Sequence, residues 1–226
     1  MLECINLTKF YKKKCVVNNL NFYVHPGEVF ALLGSNGAGK TTTIKMILGL
    51  VKPTGGEIRL DTKLKIGYSP DTPYFQPFLT GRETLEYYAA VQGLSKEERK
   101  EEISRLLSTV GLEADRTKVR HYSKGMLQRL AVAQSLLGDP DMLILDEPTA
   151  GLDTLGRMEI LGLISRLKEA GKTIILNSHI LNDVEQLCDR GIVMKEGVTV
   201  GTWDKSEYAG KNLQEIFMEA VGGNIG

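Results

Sequence analysis

Cysteine is scarce in this chain, and the few present follow no pattern. Three occur in 226 residues, Cys4, Cys15 and Cys188. They are odd in number and lack metal-ligand spacing, which favours a reducing compartment and ordinary buried thiols over a disulfide framework or a zinc site. Net charge is missing too: 28 Lys+Arg balance 28 Asp+Glu. The field of the whole chain therefore offers nothing to a polyanion, and no nucleic-acid partner is expected. No apolar run approaches the roughly 18 residues of a membrane span, and the opening Met-Leu-Glu-Cys-Ile does not read as a signal peptide. Any membrane role must come through a partner. Internal repeats, low-complexity tracts and long linkers are absent, and the lone tryptophan, Trp203, is assigned to packing. The length suits one large domain, or a core with an inserted subdomain.

Against these absences stands one dense stretch, Gly34-Ser35-Asn36-Gly37-Ala38-Gly39-Lys40-Thr41-Thr42. It fits G-x-x-x-x-G-K-[ST], the phosphate-binding loop. The apolar run Val29 to Leu33 before it reads as a buried parallel strand, and Thr41 to Gly49 after it can open a helix. Strand, loop and helix are the context this motif needs. Glycines let the backbone N–H groups turn inward, and the helix N-terminus adds positive potential, so the loop is an anion cradle. Lys40 is expected to reach the β- and γ-phosphates of a nucleotide and the Thr41 hydroxyl to ligate Mg²⁺. The alternative is a glycine-rich turn that binds nothing.

Leu2 to Thr8 and Leu20 to Val24 read as strands of an antiparallel layer. Between them Phe10-Tyr11 falls on a basic loop with Lys9, Lys12, Lys13 and Lys14, where an aromatic ring can stack on an adenine while the lysines form a solvated surface. Short strands follow at Glu57 to Leu60 and Lys65 to Tyr68, leading to the proline-rich loop Ser69 to Tyr74. Then the composition changes. Thr80-Gly-Arg-Glu83 and Ser95-Lys-Glu-Glu98 are capping boxes that open helical patterns. Residues of about 72–138 therefore read as a helical insertion, with Tyr87, Tyr88 and Leu106 on its packing face and core segments at about 1–71 and 139–226. Ser123 is the natural N-cap of a further helix with Leu127, Leu130, Ala131, Gln134 and Leu137 on one side; it is a plain cap or an anion site.

The apolar strand Met142 to Leu145 ends in Asp146-Glu147 beside Pro148. Unpaired buried carboxylates cost several kcal/mol, and a Mg²⁺ ion with an attacking water accounts for both: Asp146 for the metal, Glu147 as general base. The alternative is a strand-end turn. A helix with Ile160, Leu161, Ile164 and Leu167 buried closes at Gly171, and Thr173 to Ser178 is the next parallel strand, carrying His179 at its carboxyl end, the edge where α/β sheets bind ligands. Its expected role is a hydrogen bond to the γ-phosphate. Gly191 to Met194 and Val198 to Val200 close as a hairpin, and Asn212 to Val221 reads as a short amphipathic helix. No N/T-K-x-D motif for reading guanine is present.

With these stretches placed, the chain resembles the nucleotide-binding subunit of ABC transporters over nearly its whole length. Six landmarks occur in that family's order: Tyr11 as adenine platform, the phosphate loop, the signature Tyr122-Ser123-Lys124-Gly125-Met126-Leu127-Gln128, the metal strand with Asp146 and Glu147, the D-loop Gly151-Leu152-Asp153, and the switch residue His179. The resemblance implies an α/β P-loop NTPase core with a mainly parallel sheet, an N-terminal antiparallel layer and an inserted helical subdomain. It implies ATP and Mg²⁺ as cofactors, with Glu147, His179 and Lys40 in catalysis. It implies a second nucleotide-binding subunit, a copy or a different chain, whose Ser123 and Gly125 equivalents act in trans on the γ-phosphate, with Lys124 and Gln128 in the same stretch. It also implies a membrane-spanning permease partner and a place on the cytoplasmic face of the membrane; the contact is expected near Asp71 to Thr80 and on the helical insertion, where Tyr74, Phe75 and Phe78 are candidates for it or, equally, pack inward. Two departures stand out. Asp71 occupies the place of the glutamine that senses Mg²⁺ and the γ-phosphate, with Gln76 as rival, and the signature reads S-K-G rather than S-G-G. With no long C-terminal extension, the variants look most like bacterial exporters of the drug and antibiotic resistance class; a soluble, non-transport ABC-type ATPase is the alternative.

Overall fold

The computed structural model describes residues 2–61, 63–112, 116–207 and 213–222. In chain order the elements are β1 (Leu2–Tyr11), β2 (Lys14–Val24), β3 (Val29–Gly34), α1 (Lys40–Ile47), β4 (Gly55–Leu60) and β5 (Ile66–Ser69). Helices α2 (Gly81–Val91), α3 (Lys96–Thr109) and α4 (Lys124–Ser135) follow, then β6 (Met142–Asp146) and α5 (Thr154–Glu169). The chain continues through β7 (Thr173–Ser178), α6 (Leu181–Leu187), β8 (Arg190–Lys195), β9 (Val198–Asp204) and α7 (Leu213–Val221). It divides into two compact units, one of Met1–Leu64 with Gly171–Gly226, the other of Lys65–Ala170.

The first unit has two sheets. β1 pairs antiparallel with β2 on one side and β4 on the other. The second sheet is built on β3, whose six residues are all buried; it pairs parallel with β7 and with β8, and β9 closes antiparallel on β8. A continuous apolar run with no polar face is what a central parallel strand requires. Trp203 is buried against Gly191, where an added Cβ would come within 2.7 Å of the indole nitrogen. The packing role expected of it holds. Arg190 draws three elements together: its Nε donates to Glu28 Oε2 at 2.8 Å, and its terminal nitrogen to Glu28 Oε1 at 3.0 Å and the Tyr23 carbonyl at 2.7 Å.

The N-terminal hairpin corrects one expectation. Phe10 and Tyr11 are not on a loop; they are strand residues, Phe10 opposite Cys15 and Tyr11 opposite Lys14, with Lys12-Lys13 as the turn and Lys12 at φ 55°. Ladder hydrogen bonds hold this polar stretch extended where side-chain pattern alone reads loop. β2 likewise begins at Lys14, six residues before the expected start. Its register shifts where Asn6 and Asn19 take positive φ, and side chains complete the ladder there: Asn6 N donates to Asn21 Oδ1 at 2.8 Å, and Asn19 N to Thr8 Oγ1 at 3.1 Å. Such bulges break the two-residue period. The C-terminal helix runs from Leu213; Asn212 lies outside the described residues.

In the second unit β5 and β6 pair parallel, and α2, α3 and α4 lie between them in sequence. Both capping boxes form: Thr80 with Glu83 and Ser95 with Glu98 each exchange the two reciprocal hydrogen bonds, worth about 1 kcal/mol per helix start. The apolar spacing of α2 and α3 buries Leu85, Ala89, Ile103, Leu106 and Leu107. Tyr87 departs from the expected packing face, since it is exposed while its ring meets Tyr88 edge-on at 5.3 Å. α4 is buried more widely than one face, with Val132, Ala133 and Ser135 enclosed alongside Leu130 and Ala131.

Candidate functional site

In the first unit the phosphate loop joins β3 to α1. Ser35, Asn36 and Gly37 are exposed and Ala38, Gly39 and Lys40 are buried. Gly39, at φ 102°, caps α1 without any side-chain hydrogen bond, so the first-turn N–H groups keep their donors for an anion. A Cβ on Gly39 would meet the Val16 carbonyl at 2.7 Å, and one on Gly34 the Met194 carbonyl at 2.3 Å; only glycine fits either place. Lys40, 5% exposed, folds back so that Nζ donates to the Gly34 carbonyl at 2.6 Å and the Ser35 carbonyl at 3.2 Å. Thr41 is exposed and Thr42 half-buried at the helix start. The cradle therefore has the glycines, donors and cation that a polyphosphate needs.

His179 stands beside this loop by register. β3 and β7 run parallel with Leu33 opposite Ser178, so Gly34 and His179 leave the sheet side by side at its carboxyl edge. His179 is exposed, and Ser178 Oγ accepts from the amide of Ile180 at 3.0 Å. Tyr11 is 45% exposed at the end of β1, with Lys9 Nζ 5.2 Å from its ring centroid. Its hairpin partner β2 brings Val16 against Gly39.

In the second unit the parallel register of β5 and β6 sets Ser69 opposite Leu145, so Pro70-Asp71 and Asp146-Glu147 leave at one edge. Asp146 is 2% and Glu147 8% exposed. Glu147 adopts φ 50°, a left-handed conformation that costs a non-glycine residue about 1 kcal/mol or more and recurs at functional positions. One side chain here escaped the sequence reading, and a second was read only as part of the signature stretch. The Tyr68 hydroxyl donates to Asp146 Oδ2 at 3.4 Å; burial pushes this phenol up to about 12, with the Asp146 charge, the hydrogen bond and Asp71 adding to the shift. Its signal was only a hydroxyl two places before Pro70. Gln128 is wholly buried, and its Nε2 donates to the Asp71 carbonyl at 2.9 Å. Asp71 and Gln76 are both exposed.

Ser123 caps α4, its Oγ accepting from Met126 N at 3.2 Å, and Gly125 is half-buried in the first turn. Lys124 is exposed and its ammonium lies against Gly151, where a Cβ would come within 2.4 Å of Nζ. Asp153 caps α5, accepting from Gly156 N at 2.8 Å. Of the three loop aromatics, Tyr74 and Phe78 are exposed and Phe75 is buried, 6.3 Å from the Tyr88 ring. As donors, Thr41, Asp146 and Asp71 are the hard oxygens that Mg²⁺ takes.

The model of the family described as "ABC transporter" matches residues 17–150. The chain belongs to the ABC transporter family. An uncharacterized ABC transporter ATP-binding protein of Synechocystis sp. is 40% identical over 230 residues, 94% of this chain and 65% of that protein. The bacitracin transport ATP-binding protein BcrA of Enterococcus faecalis is 39% identical, over 100% of this chain and 76% of that one. This ABC chain thus spans 65% of the length of the first of these relatives. Among solved structures, an ATP-binding subunit of an ABC transporter superposes with TM-score 0.86 at 32% identity, covering 98% of this chain and 99% of that one. A dimeric ATP-binding cassette in a post-hydrolysis state bound to ADP and Pi superposes with TM-score 0.80 at 29% identity, over 90% and 98% of the two chains. The α/β cassette fold is therefore shared, with its mainly parallel sheet, antiparallel layer and helices.

Proposed function

We propose that this chain binds and hydrolyses ATP and powers a separate membrane-spanning partner, an exporter, with residues of about 72–138 as its helical arm. The observation that carries the reading is the parallel register of Leu33 with Ser178, because it delivers a phosphate loop and a histidine to the same sheet edge. Lys40 exchanges its two carbonyl partners for the β- and γ-phosphates, and the N–H groups of Gly37 to Thr42 cradle them. Tyr11 stacks on the adenine. His179 hydrogen-bonds the γ-phosphate. Glu147 takes the proton of the attacking water.

Thr41, Asp146 and Asp71 would hold Mg²⁺, which supplies charge neutralisation along the phosphates. Ser123 and Gly125, assisted by Lys124, present the N-terminus of α4 to the γ-phosphate of a second subunit's nucleotide, and Asp153 braces the adjoining turn. The dimeric ADP-and-Pi relative supports this pairing, and BcrA, named for bacitracin transport, supports the exporter class. Among the described residues no helix is long and apolar enough to cross a membrane; in this reading a partner supplies the membrane-spanning part and this chain sits on its cytoplasmic face. Exposed Tyr74 and Phe78 suit that contact.

Purification of the tagged chain from gently solubilised native membranes tests the transporter assignment. A polytopic membrane protein in stoichiometric amount is expected. Recovery from the soluble fraction alone, or with ribosomes or DNA, would move the function to a non-transport ATPase.

A further inference from the structure

Gln128 is a polar residue where the packing calls for none. It is 0% exposed among Leu130, Ala131 and Val132 of α4, which are buried as fully. Its Oε1 is buried without a hydrogen-bond partner, so the amide realises only part of its bonding capacity. A leucine would fill this place without that cost. What the amide does make is one bond to a distant segment, Nε2 to the main-chain carbonyl of Asp71 at 2.9 Å, 57 residues away in sequence. The orientation of the amide is fixed by this contact, since the reversed amide would set two oxygens face to face.

The segment it holds is singular. Pro70 and Pro73 bracket Asp71 and have no N–H to anchor the backbone. Gln128 itself stands five residues beyond Ser123, on the second turn of α4. We propose that Gln128 is a positioning residue, which ties the Asp71 backbone to the signature helix and so sets where the Asp71 carboxylate stands when it faces a metal–nucleotide complex. The inference rests on the reading of Asp71 as a metal ligand. It gives a physical reason why an aspartate, one methylene shorter than glutamine, can serve there: the reach is fixed by the helix that holds its carbonyl. Displacement of the Ser123 turn then displaces Asp71 with it.

A double-mutant cycle separates this from a role in packing alone. Mn²⁺ affinity is titrated by electron paramagnetic resonance in the presence of a non-hydrolysable ATP analogue, for the wild type, Gln128→Leu, Asp71→Ala and the double variant. Gln128→Leu keeps the volume and deletes the donor, and it is expected to weaken Mn²⁺ binding about tenfold, as loss of an outer-shell partner does. In the Asp71→Ala background the same change is expected to cost nothing further. An equal loss in both backgrounds, or no loss in either, overturns the proposal. Should Gln128→Leu fail to melt cooperatively, Gln128→Met is carried through the same cycle with the same two outcomes. A wild-type chain that binds no Mn²⁺ with nucleotide contradicts the site itself, and a wild type that binds while Asp71→Ala changes nothing contradicts the role of Asp71; both overturn the inference, and each is distinct from a failed cycle.

Discussion

Lys40 Nζ lies 2.6 Å from the Gly34 carbonyl, six residues earlier, across the loop that would hold a nucleotide. An ammonium with 5% exposure is stable only while hydrogen-bonded, and its partners include the Gly34 and Ser35 carbonyls of its own loop. Binding ATP is therefore an exchange of acceptors and requires little remodelling of the backbone. Lys40→Met is expected to weaken binding of a fluorescent ATP analogue at least tenfold and to lower stability by about 1–3 kcal/mol, because two carbonyls lose a charged donor. Equilibrium titration and a thermal melt read the two effects separately. Unchanged affinity would remove Lys40 from the site.

Gly39→Ala tests the loop by shape. The alanine must hold φ 102° with its Cβ 2.7 Å from a main-chain oxygen, so a loss of about 1–3 kcal/mol is expected together with loss of nucleotide binding. Gly37, also at positive φ but with nothing within 4 Å, should tolerate alanine better in the melt.

The loop was legible because its chemistry is contiguous in sequence: strand, glycines, lysine and helix follow one another. The strand-end positions of Asp146, Glu147 and His179 were legible because each closes an apolar run, and such ends are where ligands of parallel sheets gather. The hairpin of β1 and β2 was read too short, because Asn6 and Asn19 bulge the ladder and Lys12 to Lys14 look like loop until a partner strand is known. Tyr68 could not be read at all, and Gln128 was read only as part of the signature stretch, not as a partner of Asp71. Each acts through one contact to a residue tens of positions away, and such pairings leave no local trace.

Arg190 and Glu28 offer a stability test remote from the nucleotide residues. The guanidinium bonds both Glu28 oxygens and the Tyr23 carbonyl while half-buried over the Phe30 ring. Arg190→Ala leaves a mostly buried carboxylate without its cation and is expected to cost about 2 kcal/mol, a fall in Tm of roughly 4–8 °C for a chain of this size. A double cycle with Glu28→Ala should return much of that loss.

High pH should loosen the fold in a defined window. Burial pushes the Cys4 thiol from 9.0 up to about 12, with Glu3 adding to it, and the Tyr68 phenol rises from 10.0 to about 12. In both the folded state holds its proton longer than the unfolded chain, so stability is fully present below pH 9 and falls between pH 9 and 12. Cys4→Ala should flatten the early part of that fall in denaturant titrations taken across the window. At pH 8 a thiol reagent should label Cys15 ahead of buried Cys4 and Cys188.

Hydrolysis of ATP in Mg²⁺ by the purified chain, compared with Glu147→Gln, tests the account most directly. Steady-state phosphate release is expected from the wild type and a fall of about 10²-fold or more from the variant. The variant should retain ATP binding and accumulate as a nucleotide-dependent dimer in light scattering. Hydrolysis undiminished by the substitution, or a variant that stays monomeric in saturating ATP, would contradict the account.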